Sequence, residues 1–125
     1  MISIIHKKQL LYMITLYGIK NCTTMAKASK WLTTNNVNYN FHDYKKHGIT
    51  QDLITLFSKE FGWQKVINAK GTTYRKLPDN QKPTNEAEAI TIALANPSIL
   101  KRPIIFSSHH KILGFDETEY LKLLS

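Results

Sequence analysis

Residues Met13 to Met25 constrain this chain more than any other stretch, because they read as a strand, a glycine-marked loop and the first turn of a helix. Met13 to Tyr17 is apolar and β-favouring apart from Thr15, which suits a short buried strand. Gly18 breaks the run. From Thr23 onward Met25, Ala28, Trp31 and Leu32 recur at helical spacing, with Lys27 and Lys30 on the other face. Thr23 or Thr24 is expected to cap that helix. The only cysteine, Cys22, falls at the junction. There it faces unpaired backbone N–H groups and the positive end of a helix dipole, which favour thiolate over thiol and let an oxyanion bind beside it. Lys20 adds positive charge just upstream. A buried, inert cysteine is the competing reading, and the polar neighbours Asn21, Thr23 and Thr24 weigh against it.

At 125 residues, 42% of them hydrophobic, the chain is expected to form one domain with a compact core. A lone cysteine closes no internal disulfide, which points to a reducing compartment, the cytoplasm. The net charge is +8, from 17 basic and 9 acidic residues. The lysines are scattered rather than gathered in a stripe with interleaved aromatics, so a solvated surface is expected and no DNA contact. Only two basic residues, Arg75 and Arg102, are arginine. A chain that otherwise uses lysine keeps arginine where a planar, forked donor is needed, although codon bias produces the same ratio. Residues 1–12 are apolar in places, but Lys7, Lys8 and Gln9 interrupt them and they are too short to span a bilayer. They read as an appended arm on a domain of residues 13–125, with no membrane partner.

The first helix should end near Thr34-Asn35-Asn36, and Tyr39 to Tyr44 reads as a second strand with Tyr39, Phe41 and Asp43 on one side. Strand, helix and strand make a βαβ unit with parallel strands. His42 is expected at the surface and Lys45 to Gly48 as a turn. Thr50 caps a helix with an apolar face of Leu53, Leu56, Phe57 and Phe61, closed by Gly62. One more turn follows at Trp63, Val66 and Ile67, then a polar segment without period from Asn68 to Pro78. Thr84 or Asn85 caps another helix with a face of Ala87, Ile90, Ala93 and Leu94. Ile104 to Phe106 and Lys111 to Phe115 form a hairpin, with His109 and His110 in a polar turn and no metal expected. Asp116 to Glu119 opens a last helix through Tyr120, Leu121 and Leu124. The parallel pair and the hairpin can share one four-stranded sheet, with Cys22 at its carboxyl edge.

Several stretches now match a family: Leu16 to Cys22, Phe41 to Tyr44, Gly71 to Leu77, Lys101 to Ile105 and Gly114 to Asp116. In this order they resemble the arsenate reductase-like family of thioredoxin-fold proteins, nearest its small Spx/YffB-type branch. The resemblance implies an α/β, thioredoxin-like four-stranded mixed sheet with flanking helices and a helical insertion. It implies that Cys22 is the nucleophile, that Arg102 helps bind an oxyanion, and that Arg102–Pro103 is the cis-proline bond found beside the active cysteine. With Arg102, the residues Arg75, Asn21, Thr23, Thr24 and Lys20 are the candidates for anion or substrate binding. The expected reaction is attack of the Cys22 thiolate on an oxidised centre and resolution by an external thiol. Glutathione would be co-substrate, or glutaredoxin partner, with no bound cofactor.

Departures from the family pattern sharpen these expectations. Met25 stands where a second cysteine would complete a dithiol pair. Asn68 and Phe115 stand where arsenate reductases of this type carry two further arginines, with Arg75 as a possible substitute nearby. A glutathione-linked thiol/disulfide reductase fits better than a true arsenate reductase. The resemblance also offers an Spx-like regulator that binds RNA polymerase, or a fold member that has lost catalysis and only binds.

Overall fold

The computed structural model describes residues 13–124, so the expected arm of residues 1–12 lies outside them. The chain forms two compact units, one running to Asp43 and resuming at Arg102, the other Tyr44–Lys101. The first is α/β. Its strands are β1 (Ile14–Gly18), β2 (Tyr39–Asp43), β3 (Ile104–Phe106) and β4 (Lys111–Leu113), in the sheet order β2-β1-β3-β4. β2 runs parallel to β1, with Leu16 opposite Phe41, while β3 is antiparallel to β1 and β4 to β3. This is the thioredoxin-like mixed sheet, and the second unit is the helical insertion.

Alternation makes β1 a central strand: Ile14 and Leu16 are buried on one face, Thr15 and Tyr17 half-buried on the other. Helix α1 (Thr23–Thr34) lays Met25, Ala28 and Leu32 into a core with Leu16, Ile105, Ile112 and Tyr120. Each fully buried side chain of that size contributes about 1.5–3 kcal/mol. The helix stops in a Schellman motif: Val37 N donates to the Leu32 carbonyl at 2.9 Å and Asn36 N to that of Thr33 at 3.2 Å. Asn36 takes the left-handed φ of 58° that the motif demands, which asparagine tolerates. His42, paired with Tyr17, is half-buried with its ring 5.1 Å from the tyrosine ring, not fully at the surface.

In the second unit, α2 (Tyr44–His47) is one helical turn where a plain turn was expected. Thr50 caps α3 (Gln51–Phe61), accepting from Leu53 N at 3.1 Å, and α4 (Trp63–Val66) follows the break at Gly62. A short α5 (Thr72–Arg75) interrupts the segment read as aperiodic, and Asn85 caps α6 (Glu86–Ala95). Glu86 ties α6 to α3, accepting from Ser58 Oγ at 2.8 Å and Lys59 Nζ at 2.7 Å. The buried faces differ from the expected ones. Ile54 and Phe57 are buried while Leu56 is 46% exposed, and Ala89 and Ala93 are buried while Leu94 is 41% exposed. Apolar residues surround much of both helices, so spacing alone does not decide which stripe faces inward.

The C-terminus returns to the first unit. Asp116 accepts from Thr118 N and Glu119 N and caps α7 (Glu117–Tyr120), after which Leu121–Leu124 tightens into a 3₁₀ turn. With three residues per turn, Tyr120 and Leu123 line up on the core while Leu121 and Leu124 are exposed. The Tyr120 ring meets Trp31 and Phe115 edge-on, at centroid distances of 5.4 and 5.0 Å. Among the described residues no helix is long and apolar enough to cross a membrane.

Candidate active site

The first strand delivers the cysteine. After Gly18 the chain turns through Asn21, whose φ of 68° is left-handed, and enters α1. Cys22 is itself the N-cap residue, with extended φ and ψ of −109° and 132°. Its carbonyl accepts the first helical bond from Ala26 N at 3.0 Å. The cap expected from Thr23 or Thr24 is therefore displaced, because Thr23 already lies inside the helix.

Placement at the N-cap decides the electrostatics of the thiol. Burial pushes the Cys22 pKa up. The backbone N–H of Met25, a hydrogen bond from Arg102, the N–H of Thr24 and the Arg102 charge together outweigh burial, so the net displacement is downward. Arg102, not Lys20, supplies the charge that acts on the sulfur. It is carried there by the Arg102–Pro103 peptide, which is cis, at the entry to β3. Lys20 is exposed and lines a hollow of about 270 Å³ with Asn21, Cys22, Met25, Ser29 and Phe41. Phe41, which strand alternation assigned to the apolar side, is 38% exposed there. Its place on the outer strand of the sheet, opposite Leu16, is a pairing that only the register reveals.

The remaining candidates fall in different surroundings. Thr23 is exposed and Thr24 half-buried, the latter facing the sulfur through its backbone N–H. Arg75 ends α5 in the second unit and is exposed. Asn68 serves the backbone of that unit, donating from its N to the Ile99 carbonyl at 2.8 Å and accepting from Gly71 N at 3.0 Å. Phe115 belongs to the aromatic cluster around Tyr120. Among the described residues no group of three His, Cys, Asp or Glu is placed to hold a metal ion.

Comparison with known proteins agrees with this architecture. A model of the ArsC family matches residues 17–123. The solved structure of the YFFB protein superposes with a TM-score of 0.85 at 43% identity, covering 90% of this chain and 99% of its own. That of an arsenate reductase (ArsC) related protein from Brucella melitensis gives 0.72 at 39% identity, covering 90% and 94%. The global transcriptional regulator Spx of Streptococcus pyogenes is 30% identical over 115 residues, which are 90% of this chain and 86% of Spx.

Proposed function

Because this chain belongs to the ArsC family, we propose that it is a thiol/disulfide reductase that uses Cys22 alone and takes its second thiol from glutathione. The observation that carries this reading is a cysteine at a helix N-cap with Arg102 beside it, in a sequence with no other cysteine. Cys22 Sγ attacks the glutathionyl sulfur of a mixed disulfide, forms an S–S bond to it and releases the substrate sulfur as a thiolate, which takes up a proton. A second glutathione thiolate then attacks the glutathionyl sulfur on Cys22. Oxidised glutathione leaves, and the Cys22 thiolate is restored. A glutaredoxin can replace glutathione in the second step.

Arsenate is the less favoured substrate. Arg102 is the one arginine acting on Cys22, and Phe115, at one of the positions where arginine would be needed, is engaged in aromatic packing. The 30% identity to Spx favours a second reading, a regulator that binds RNA polymerase. With Met25 in place of a second cysteine, such a regulator would be switched by glutathionylation of Cys22 and not by an internal disulfide. Turnover by wild type and Cys22→Ser, with glutathione supplied, separates these readings. Consumption of a glutathione mixed disulfide by wild type alone is expected. Equal rates in both proteins, together with polymerase capture by both, would replace the enzyme with a binding protein.

A further inference from the structure

A second hollow of about 480 Å³ lies on the other flank of the core-facing stripe of α1 and shares no lining residue with the hollow at Cys22. Two of its walls are aromatic. Trp31 and Phe115 are each half-buried, and both meet Tyr120 edge-on, which fixes their rings from behind while their remaining surface lines the hollow. Lys27 and Lys30, exposed and three residues apart on α1, stand at the same hollow. Among the described residues neither lysine joins an ion pair. Glu117 is the one acidic lining residue, so two positive charges face one negative. Asn35 donates its Nδ2 to the Trp31 carbonyl at 2.9 Å, which orients its amide and leaves its Oδ1 as an acceptor.

We propose that this hollow binds an amine-bearing aromatic heterocycle carrying a phosphate, the chemistry of a purine mononucleotide. Its size falls within the range of about 300–1,000 Å³ usual for small-molecule sites. The ring stacks against Trp31 and Phe115, a contact any base can make because each has a π-face. The phosphate is held by Lys27 and Lys30. The Glu117 carboxylate and Asn35 Oδ1 accept from the exocyclic amine, giving the acidic residue a partner that a bare phosphate would not supply. The site stands whether or not Cys22 is a reductase thiol, since no residue is common to both.

Adenosine 5′-monophosphate is the probe. Calorimetry on the full wild-type chain should show saturable binding. In Trp63→Phe, where Trp31 is the remaining tryptophan, the same nucleotide should quench fluorescence. Adenosine, which lacks the phosphate, and ribose 5-phosphate, which lacks the ring, should each bind roughly tenfold more weakly or worse. Lys27→Ala with Lys30→Ala should weaken the nucleotide by a similar factor, and added salt should weaken it in wild type. Absence of saturable binding at millimolar nucleotide overturns the site. So does equal binding of adenosine or ribose 5-phosphate, or an affinity unchanged by loss of both lysines.

Discussion

The side chain of Met25 lies directly over the α-carbon of Gly18: a Cβ at residue 18 would fall 2.6 Å from Met25 Cε and closer still to its Sδ. The constraint on residue 18 thus comes from the end of the Met25 side chain in the first turn of α1, not from its own backbone angles. Gly18→Ala forces Met25, which is buried, to move within the core, and overpacking of this kind costs about 1–3 kcal/mol. Urea unfolding should show that loss. In a Met25→Ala background the penalty of Gly18→Ala should shrink, because the obstructing atoms are gone. Simple additivity would show that the two residues do not share this contact.

The order of strands and of the longer helices was legible in the sequence, because β1, α1 and β3 carry strong local patterns and Thr50, Asn85 and Asp116 carry cap chemistry. What local pattern could not reach is what depends on distant partners. Local sequence puts only Lys20 near Cys22, whereas the charge that lowers its pKa belongs to Arg102, which precedes the strand paired with β1. The two-arginine composition did not say which arginine; only the family resemblance pointed to Arg102. Leu56 and Leu94 looked inward because nothing local marks the inner stripe of a helix that is apolar on several sides. Alternation put Phe41 on one side of its strand but does not say whether a strand is central or outermost, and Phe41 lies on the outermost one.

Tyr120 closes the C-terminal element through its ring more than through its hydroxyl. The hydroxyl donates to the Gly114 carbonyl at a long 3.3 Å, whereas the ring is wholly buried between Trp31 and Phe115. Tyr120→Phe should cost about 1 kcal/mol or less, the net worth of an ordinary hydrogen bond. Tyr120→Ala should cost about 3–5 kcal/mol, as for other buried aromatics. Thermal unfolding of the two variants gives the comparison, and similar losses in both would shift the weight to the hydroxyl.

Arg102 should control how readily Cys22 ionises, since it acts on the sulfur by both hydrogen bond and charge. Arg102→Ala removes both effects, so the pH midpoint of Cys22 alkylation should rise. Arg102→Lys keeps a charge but loses the forked donor and should give an intermediate midpoint. Oxyanion or glutathione affinity should fall in the same order. Midpoints equal to wild type, with lower melting temperatures, would make Arg102 a packing residue at the entry to β3.

Cys22 should couple ionisation to stability with a definite sign. Its pKa in the folded chain is lowered, because the amides of Met25 and Thr24 and the Arg102 guanidinium outweigh burial, while the unfolded thiol titrates at about 8.5. Between those two values the unfolded chain holds a proton that the folded chain has released, so stability rises with pH across that window. The contribution is fully present above the unfolded pKa and is lost as pH falls through the folded one. Cys22→Ser cannot ionise there and should lack this slope, so the difference in unfolding free energy between wild type and Cys22→Ser should grow as pH rises from the folded pKa to the unfolded one. Alkylation rates must follow the same window, with a midpoint below that of free cysteine, although each thiolate is then a weaker nucleophile. Intact mass after exposure to oxidised glutathione should show one glutathionyl group per chain. A pH-independent difference between the two proteins, an ordinary alkylation midpoint and no adduct would together leave Cys22 as a helix cap without redox chemistry.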